Sequence, residues 1–369
     1  MPISLKSVVG GGTAVELGEV VWMQDQPQPL IEVDGMSFLK SGNVLTDEEA
    51  NYPEAFEKFG EAKANPMVWT LAPTPLGAFQ SVAYGSNVFV AVGAQKILRS
   101  TDDGLTWVQT TVPFSNGWKS ITRGPNTFAT VGGTKVNYSN DDGLTWNQVV
   151  LPTTVDCRSI AYGDGVFVVV GEIATNEASY STDGCKTWNM ATLKSVSSWQ
   201  SVAYGGGVFV AVAWSLLKAN YSVDGGKTWN EATLPAVSSW YSIAYGNGVF
   251  VAVAQNSDQA AYSTDGGKTW AASTMPSSAK WVSVVYGNGV FVVVAQSSDQ
   301  VAYSIDDGKT WATATLPINS YWFSAAYGNN VFVAATSYGD QFVRTLPAAL
   351  LGLPTETHDG LSVQYMRVK

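Results

Sequence analysis

The stretch YSTDGGKTW at residues 262–270 decides the fold, because the chain repeats it. Close copies, YSVDGGKTW and YSIDDGKTW, stand 41 residues before and after it, and three more divergent copies precede them. The six copies lie 39 to 42 residues apart and end at Trp107, Trp146, Trp188, Trp229, Trp270 and Trp311. A period of this length in a chain of 369 residues predicts a repeat architecture.

A second element, of the type SVAYGSNVFVAV, accompanies the first and occurs seven times. In SVAY apolar and polar residues alternate, and a Gly-Asn-Gly type of turn follows, which predicts a hairpin. The apolar run after the turn predicts a strand buried on both faces. With the AYSTD and KTW segments, each unit contains four short antiparallel strands, which is typical of a propeller blade. The second element begins at Ser81, Ser120, Ser159, Ser201, Ser242, Ser283 and Ser324.

Counting the two elements predicts how the ring closes. The last unit, which begins at Ser324, lacks a Thr-Trp strand, whereas the segment NPMVWTLAP around Trp69 has that strand and no hairpin before it. Trp69 also lies 38 residues before Trp107, close to the period. Because an open sheet edge favours aggregation, we expect the Trp69 strand to complete the last blade. The sequence thus predicts an all-β protein with a seven-bladed β-propeller over residues 67–347, an N-terminal β-rich segment at 1–66 and a C-terminal tail strand at 348–369.

The Ser-x-Asp-x-Gly-x-Thr-Trp motif resembles the Asp box, or BNR repeat, of sialidases, sortilin-type receptors and photosystem assembly factors. We expect its Asp side chain to accept hydrogen bonds from backbone N–H groups one or two residues further on, so that it fixes the turn. In the third box Cys185 replaces a glycine, which predicts a shifted turn there. Six repetitions favour a structural over a catalytic role for Asp102, Asp141, Asp183, Asp224, Asp265 and Asp306.

Composition excludes several functions. The net charge of −10 disfavours binding to nucleic acid or to an anionic membrane surface. Two cysteines, Cys157 and Cys185, cannot form a disulfide framework, and we expect them at opposite ends of their blade as two free thiols. With His358 as the single histidine, neither a His-based metal site nor a Ser-His-Asp triad is predicted, and we expect no cofactor. A sialidase needs an arginine cluster, but the five arginines occupy unrelated points of the repeat: Arg99, Arg123, Arg158, Arg344 and Arg367.

Each copy of the second element begins with a serine, called here the leading serine. The residue two positions before each leading serine is aromatic in six of seven repeats. These rings stand at the mouth of the innermost strands, where a circle of them could stack on sugars. Alternatively, each ring packs between neighbouring blades. The residues at this position are Phe79, Trp118, Cys157, Trp199, Trp240, Trp281 and Trp322. The five tryptophans are candidate ligand-binding residues.

Three aspartates extend this candidate site, because the loops between strands two and three share a face with the aromatic positions. The loops NSDQA, SSDQV and YGDQF place Asp258, Asp299 and Asp340 at equivalent positions. They could form turns, a polar binding rim, a weak Ca²⁺ site or the carboxylate pair of a glycoside hydrolase. The loop WSLLKA carries Trp214 and two leucines, which could contact a partner or pack between blades.

The flanks carry a second resemblance. The segment FLKSGNVL followed by YPEAF, the terminal QYMRVK and the initial MPISLKSVV are similar to segments of bacteriophage tail-fibre and virion-associated proteins. The flanks also predict short strands, an acidic helix at DEEANYPEAFEKFGEA and one strand in the tail. The initial residues contain no apolar segment of a signal peptide, so we expect synthesis in a host cytoplasm.

The resemblance implies a virion structural protein, a tail fibre or receptor-binding adhesin, which is not an enzyme. It also implies a homotrimer that contacts other virion proteins through the N-terminal segment, and a propeller face that binds a host-surface glycan or protein. Two alternatives stay open: a propeller glycoside hydrolase acting on host polysaccharide, and an assembly, scaffold or capsid-decoration propeller.

Overall fold

The computed structural model describes residues 69–345, apart from 73–76, 95, 111–116, 155, 215 and 339–340, together with two strand pairs in the flanks. One compact unit runs from Trp69 to Arg344, and a second consists of Met1–Val68 with Thr345–Lys369. The described residues contain strands and turns and no helix. The predicted acidic helix lies outside the described residues.

The strands are numbered in chain order, and each of the first three blades is a separate four-stranded antiparallel sheet. The strands before blade 1 are β1 (Leu30–Val33), β2 (Met36–Leu39) and β3 (Trp69–Ala72). Blade 1 has β4 (Phe79–Gly85), β5 (Val88–Gly93), β6 (Ile97–Ser100) and β7 (Val108–Thr110). Blade 2 has β8 (Ser120–Arg123), β9 (Phe128–Gly132), β10 (Lys135–Ser139) and β11 (Asn147–Val150). Blade 3 has β12 (Cys157–Gly163), β13 (Val166–Gly171), β14 (Thr175–Ser181) and β15 (Asn189–Ser197).

In blades 4 to 7 several strands are long enough to serve two positions. Blade 4 begins with β16 (Trp199–Gly205), β17 (Val208–Ala213) and β18 (Leu216–Ser222). The long strands are β19 (Asn230–Gly246), β20 (Val249–Ser263), β21 (Ala271–Gly287), β22 (Val290–Ser304) and β23 (Ala312–Gly328). Blade 7 ends with β24 (Val331–Thr336) and β25 (Phe342–Thr345). Strands β19, β21 and β23 each run from the outer position of one blade to the inner position of the next, and β20 and β22 each supply strands two and three of one blade.

The predicted closure of the ring is confirmed. Strand β3 lies beside β25 as the outer strand of blade 7, so the strand that contains Trp69 completes the blade that begins at Ser324. The Thr70 hydroxyl also donates to the Arg344 carbonyl oxygen at 3.4 Å. The described residues of this unit therefore form seven four-stranded blades, and the chain has an all-β propeller fold.

A ring of serine hydroxyls joins the inner strands. The Oγ atom of each leading serine accepts a hydrogen bond from the backbone N–H of the residue after the leading serine in the next blade. Ser81 Oγ accepts from the Ile121 N–H at 3.1 Å, and equivalent bonds of 3.0 to 3.3 Å follow in the other blades. The seventh bond, from the Val82 N–H to Ser324 Oγ at 3.1 Å, closes the circle. Each bond satisfies a buried N–H group.

Glycines allow the blades to approach closely. A Cβ atom on Gly246 would lie 2.0 Å from the Tyr286 ring of the next blade, and one on Gly328 would lie 2.0 Å from Tyr84 across the closure. The second strand of the inner hairpin is buried on both faces in blades 1, 4 and 7, as the apolar runs predicted. The core therefore consists of layers between blades rather than one central cluster.

The described flank residues form two antiparallel strand pairs, β1 with β2 and β26 (Thr355–His358) with β27 (Leu361–Gln364). The segment PLIEVDGMSFLKSG was predicted to form short strands and does so. The C-terminal tail was predicted to contain one strand, but its described residues contain two, which pair with each other in antiparallel order.

Candidate functional site

The Asp boxes are structural turns. Asp265 Oδ1 accepts from the Thr269 N–H at 2.9 Å and from the Ser263 hydroxyl at 2.9 Å, and Oδ2 accepts from the Thr269 hydroxyl at 2.7 Å. The other five boxes repeat these bonds to the Ser and the Thr. Partial burial acts to raise the pKa of Asp265, but the bonds from Thr269 and Ser263 stabilise the charged form and lower the pKa overall. The N–H donors lie three and four residues after the Asp, not one or two as expected.

The third box keeps the geometry of the others, so the shift expected at Cys185 does not occur. Cys185 has a φ of 72° and its N–H donates to Ser181 Oγ at 3.0 Å, as the glycine N–H does in the other boxes. Neither cysteine forms a disulfide, and both are buried. Burial, with a smaller contribution from the Asp156 charge, raises the pKa of Cys157 to about 12, and burial likewise raises the pKa of Cys185. Neither thiol is activated as a nucleophile.

The aromatic positions before the leading serines lie in the interior. Trp118, Trp199, Trp240, Trp281 and Trp322 are each 0 to 1% exposed, and so is Phe79. Three of the indole N–H groups donate to backbone carbonyls, as in the 3.1 Å bond from Trp240 to Ala236. Covered rings cannot stack on a ligand in this structure. These side chains pack between blades, which was the alternative interpretation, and they form no binding circle.

Loops were predicted at Asp258 and Asp299, but both residues lie within continuous strands, β20 and β22, because each of these strands supplies strands two and three of its blade. Asp258 is half-buried, and its Oδ1 accepts from its neighbour's side chain, Gln259 Nε2, at 3.1 Å. Asp299 is exposed. Asp340 lies outside the described residues. Among the part of the chain that the structure describes, no group of three His, Cys, Asp or Glu side chains could hold a metal ion.

The side chains that reach the centre come from the position between the buried aromatic and the leading serine. In six blades this residue is the extra residue of a β-bulge, since the residues on either side of it face adjacent partners on strand two. A bulge changes the direction of a side chain. The residues at this position, here called the mouth ring, are Gln80, Lys119, Arg158, Gln200, Tyr241, Val282 and Phe323.

Three members of the mouth ring meet although they belong to blades 3, 5 and 7. The Arg158 guanidinium carbon lies 5.2 Å from the centre of the Tyr241 ring and 5.6 Å from that of the Phe323 ring. The two rings are 6.4 Å apart and nearly perpendicular. Because these blades are not neighbours, the contacts cross the mouth of the ring, on the face that carries the loops between strands two and three (the loop face). Trp214, from the blade 4 loop, packs edge-on against Tyr241 at 5.8 Å.

An ion network adjoins the rings. The Lys119 ammonium donates to Asp156 at 2.7 Å and also to Glu172, and Arg158 Nε lies 3.5 Å from Glu172. Arg158 also donates to the Tyr241 hydroxyl. The network contains two cations and two anions, so its formal charge is zero, and one buried oxygen, Asp156 Oδ1, has no hydrogen-bond partner. We call Lys119, Asp156, Arg158, Glu172, Tyr241 and Phe323 the central cluster.

The central cluster is a recognition site of mixed chemistry. Burial raises the pKa of Tyr241, although the Arg158 charge opposes this, so the phenol stays neutral and can both donate and accept hydrogen bonds. The half-buried Lys119, Asp156 and Glu172 offer further polar groups beside aromatic surface. The sequence did not identify this set as a site. The sequence did contain a signal for it: the position just before each leading serine varies between repeats, and it holds Lys, Arg, Tyr or Phe in the blades that form the cluster.

Comparison with known proteins agrees with this architecture. The BNR/Asp-box repeat family matches residues 261–272. The fold is a β-propeller with BNR-type repeats. No protein of curated function matches the sequence. The described residues include no helix that is long and apolar enough to cross a lipid bilayer.

Solved structures show the same fold at low identity. Virginiamycin B lyase from Staphylococcus aureus is 13% identical, with a TM-score of 0.67, and the match covers 77% of this chain and 100% of the lyase. YCF48 from Cyanidioschyzon merolae is 14% identical, with a TM-score of 0.60 and coverage of 77% and 99%. A YCF48 bound to D1 peptide is 15% identical, with a TM-score of 0.62 and coverage of 77% and 97%. These proteins include a lyase and a peptide-bound protein, so the likeness establishes the fold alone.

Proposed function

We propose that this chain is a ligand-binding propeller of a bacteriophage particle, which contacts a glycan on the host surface through its loop face. The observation that carries the proposal is the convergence of Arg158, Tyr241 and Phe323 across the mouth of the ring. These side chains break a repeat that is otherwise kept for packing. In a scaffold of similar blades, such departures are where a specific function is expected.

The chemistry of the central cluster suits a sugar. A sugar ring presents C–H faces, which pack on aromatic surface, and hydroxyls, which both donate and accept hydrogen bonds. Trp214 and Tyr241 supply aromatic surface, and the ion network supplies donors and acceptors with no net formal charge. This balance favours a neutral polyhydroxylated ligand over a strongly anionic or cationic one.

The flanks support the placement on a virion. The segments FLKSGNVL and QYMRVK are similar to those of tail-fibre and virion-associated proteins. On this proposal the N-terminal segment contacts other virion proteins, and the chain acts as a homotrimer, in which several weak sites together give strong attachment. Immunogold labelling of purified particles would distinguish a tail position from a capsid position, and labelling of neither would contradict the placement.

A microarray of bacterial surface polysaccharides tests the proposed function. Arg158→Gln and Phe323→Val install the residues that blades 4 and 6 carry at the same position, Gln200 and Val282, so both variants are expected to fold. We expect the wild-type chain to bind a subset of polysaccharides and both variants to bind them at least about tenfold more weakly. Leu144→Lys, on the opposite face, installs the lysine that boxes 3 to 6 carry and should bind as the wild type does. Absence of wild-type binding would contradict the proposal.

A glycoside hydrolase is the second candidate, because the central cluster brings two carboxylates together. Asp156 and Glu172 both contact the Lys119 ammonium, next to Tyr241, and paired carboxylates serve glycoside hydrolysis. Asp258 and Asp299 remain the other carboxylates to test. Release of reducing ends from a bound polysaccharide, lost in Glu172→Gln or in the Asp258→Asn, Asp299→Asn double variant, would identify an enzyme. Binding without release would support the adhesin.

A further inference from the structure

Two exposed tyrosines stand side by side on the loop face of blade 7. Tyr338 is 74% exposed, in the loop between strands two and three, and Tyr321 is 50% exposed, at the start of the inner strand. Their ring centroids are 5.8 Å apart and the rings are nearly perpendicular, at 69°. The two exposed rings therefore meet at an angle and form an aromatic corner.

The scaffold holds this corner in place. The Ser337 N–H donates to the Tyr321 carbonyl oxygen at 2.8 Å, which ties the loop to the inner strand. Two hydrogen bonds between Thr336 and Gln341 close the base of the loop. The Thr336 hydroxyl donates to the Gln341 carbonyl oxygen at 3.1 Å, and the Gln341 N–H donates to the Thr336 hydroxyl at 3.0 Å. A contact surface whose backbone is already fixed loses little conformational entropy when a ligand binds.

Both tyrosines are departures from the repeat. The position of Tyr321 holds Ser239 in blade 5 and Lys280 in blade 6. The position of Tyr338 holds Asn256 and Ser297 in the same two blades. Blade 7 thus carries aromatic residues at two separate positions where blades 5 and 6 carry polar ones, and the two touch each other. Blade packing does not account for them, because Tyr321 is half exposed and Tyr338 is mostly exposed.

We propose that Tyr321 and Tyr338 form a subsite that holds one sugar residue of the glycan bound by this face, so the inference rests on the proposed function and extends it. A sugar ring in the corner would stack a C–H face on one ring and meet the edge of the other, while the phenol hydroxyls bond to its hydroxyls. Tyr321 lies two residues from Phe323 of the central cluster, so one oligosaccharide chain can reach both places.

A sugar fits this corner better than a protein partner does. A stable protein interface buries roughly 800 Å² on each side, far more than two phenol rings offer. The residues next to the rings in the chain, Asn319, Ser320 and Ser337, are polar and hydrogen-bonding rather than apolar. A small aromatic corner within a polar surface matches the size and chemistry of a single pyranose.

The experiment uses variants that carry the residues of another blade. Tyr321→Ser and Tyr338→Asn give blade 7 the residues of blade 5, and both positions are exposed, so folding should be unaffected. The control is Val237→Ser. Val237 is 70% exposed on the loop face, and serine is the residue at the equivalent position of β21, Ser278. All three full-length variants are compared with the wild type and Arg158→Gln on the polysaccharide microarray.

We expect each tyrosine variant to bind about tenfold more weakly than the wild type and the control to be unchanged. If Arg158→Gln loses binding while both tyrosine variants keep it, the subsite is wrong and the proposed function stands. If the tyrosine variants lose binding while Arg158→Gln keeps it, the subsite stands and the role of the central cluster is wrong. A wild-type chain that binds no polysaccharide overturns both proposals.

Discussion

Replacing Ala129 by valine should destabilise the propeller, because Cys185 occupies the space that a valine would need. In the other boxes, the glycine at the Cys185 position packs against a valine in strand two of the preceding blade. A Cβ on Gly226 would lie 2.5 Å from Val168 Cγ2, and one on Gly267 would lie 2.6 Å from Val210 Cγ2. Blade 2 has alanine at the valine position, and Ala129 and Cys185 belong to the same buried cluster.

The size of the effect follows from these distances. Overpacking a well-filled core costs about 1–3 kcal/mol, so Ala129→Val alone should lower the free energy of unfolding by that amount. Cys185→Gly removes a buried thiol but also relieves a non-glycine residue at φ 72°, a conformation that costs about 1–2 kcal/mol, so this change alone should be nearly neutral. The double variant restores the glycine–valine pair of the other boxes and should be at least as stable as the wild type.

Denaturant unfolding of the four proteins, followed by tryptophan fluorescence, measures the coupling between the two positions. We expect a favourable coupling of at least about 1 kcal/mol. The mirror experiment is Gly267→Cys, which should be destabilising in the wild type and tolerated with Val210→Ala. Additive effects in both cycles would refute the reasoning, because they would mean that these side chains do not compete for one space.

Three further predictions concern the scaffold. Ser283→Ala leaves the buried Ala325 N–H without its acceptor, so the free energy of unfolding should fall by about 1–3 kcal/mol in a denaturant titration, and an unchanged midpoint would contradict the serine ring. In the folded protein the box aspartates have a pKa below the ordinary value of 3.8, so they stabilise the fold fully above that pH, and this stabilisation is lost as the pH falls below it. The denaturant midpoint should therefore drop over this pH range, and it should drop less steeply in Asp265→Asn. An equal dependence of the midpoint on pH in the two proteins would refute the assignment. The buried thiols should react with a thiol reagent only after unfolding, and rapid labelling of the native protein would contradict their burial.

The repeat made the fold predictable because each blade repeats the same chemistry. Seven hairpins, six boxes and a separated strand at Trp69 were enough to predict the number of blades and the closure. The role of the Asp side chain as an acceptor of backbone N–H bonds also followed from the motif, although the donors are more distant along the chain and the bond from the Thr hydroxyl was not predicted. The substitution at Cys185 was misread because its compensating partner, Ala129, belongs to another blade, and such a pairing requires the register between blades.

The site was harder to predict, for a local geometric reason. Simple alternation along a strand does not show which residue near its start faces the centre, and here a bulge redirects the residue next to the tryptophan. The predicted binding circle was therefore placed one residue away from the side chains that reach the mouth. Contacts such as that of Arg158 with Tyr241, which are 83 residues apart, depend on the curvature of the closed ring, which the repeat period alone does not specify.

Hydrogen exchange of the full-length chain, with and without a polysaccharide selected on the microarray, tests the central claim most directly, namely that the loop face binds the ligand. We predict slower exchange in peptides that contain Arg158, Trp214, Tyr241 and Tyr338, and unchanged exchange in the box turn from Asp265 to Thr269. Slower exchange confined to the box turns, with no change at the loop face, would contradict the account.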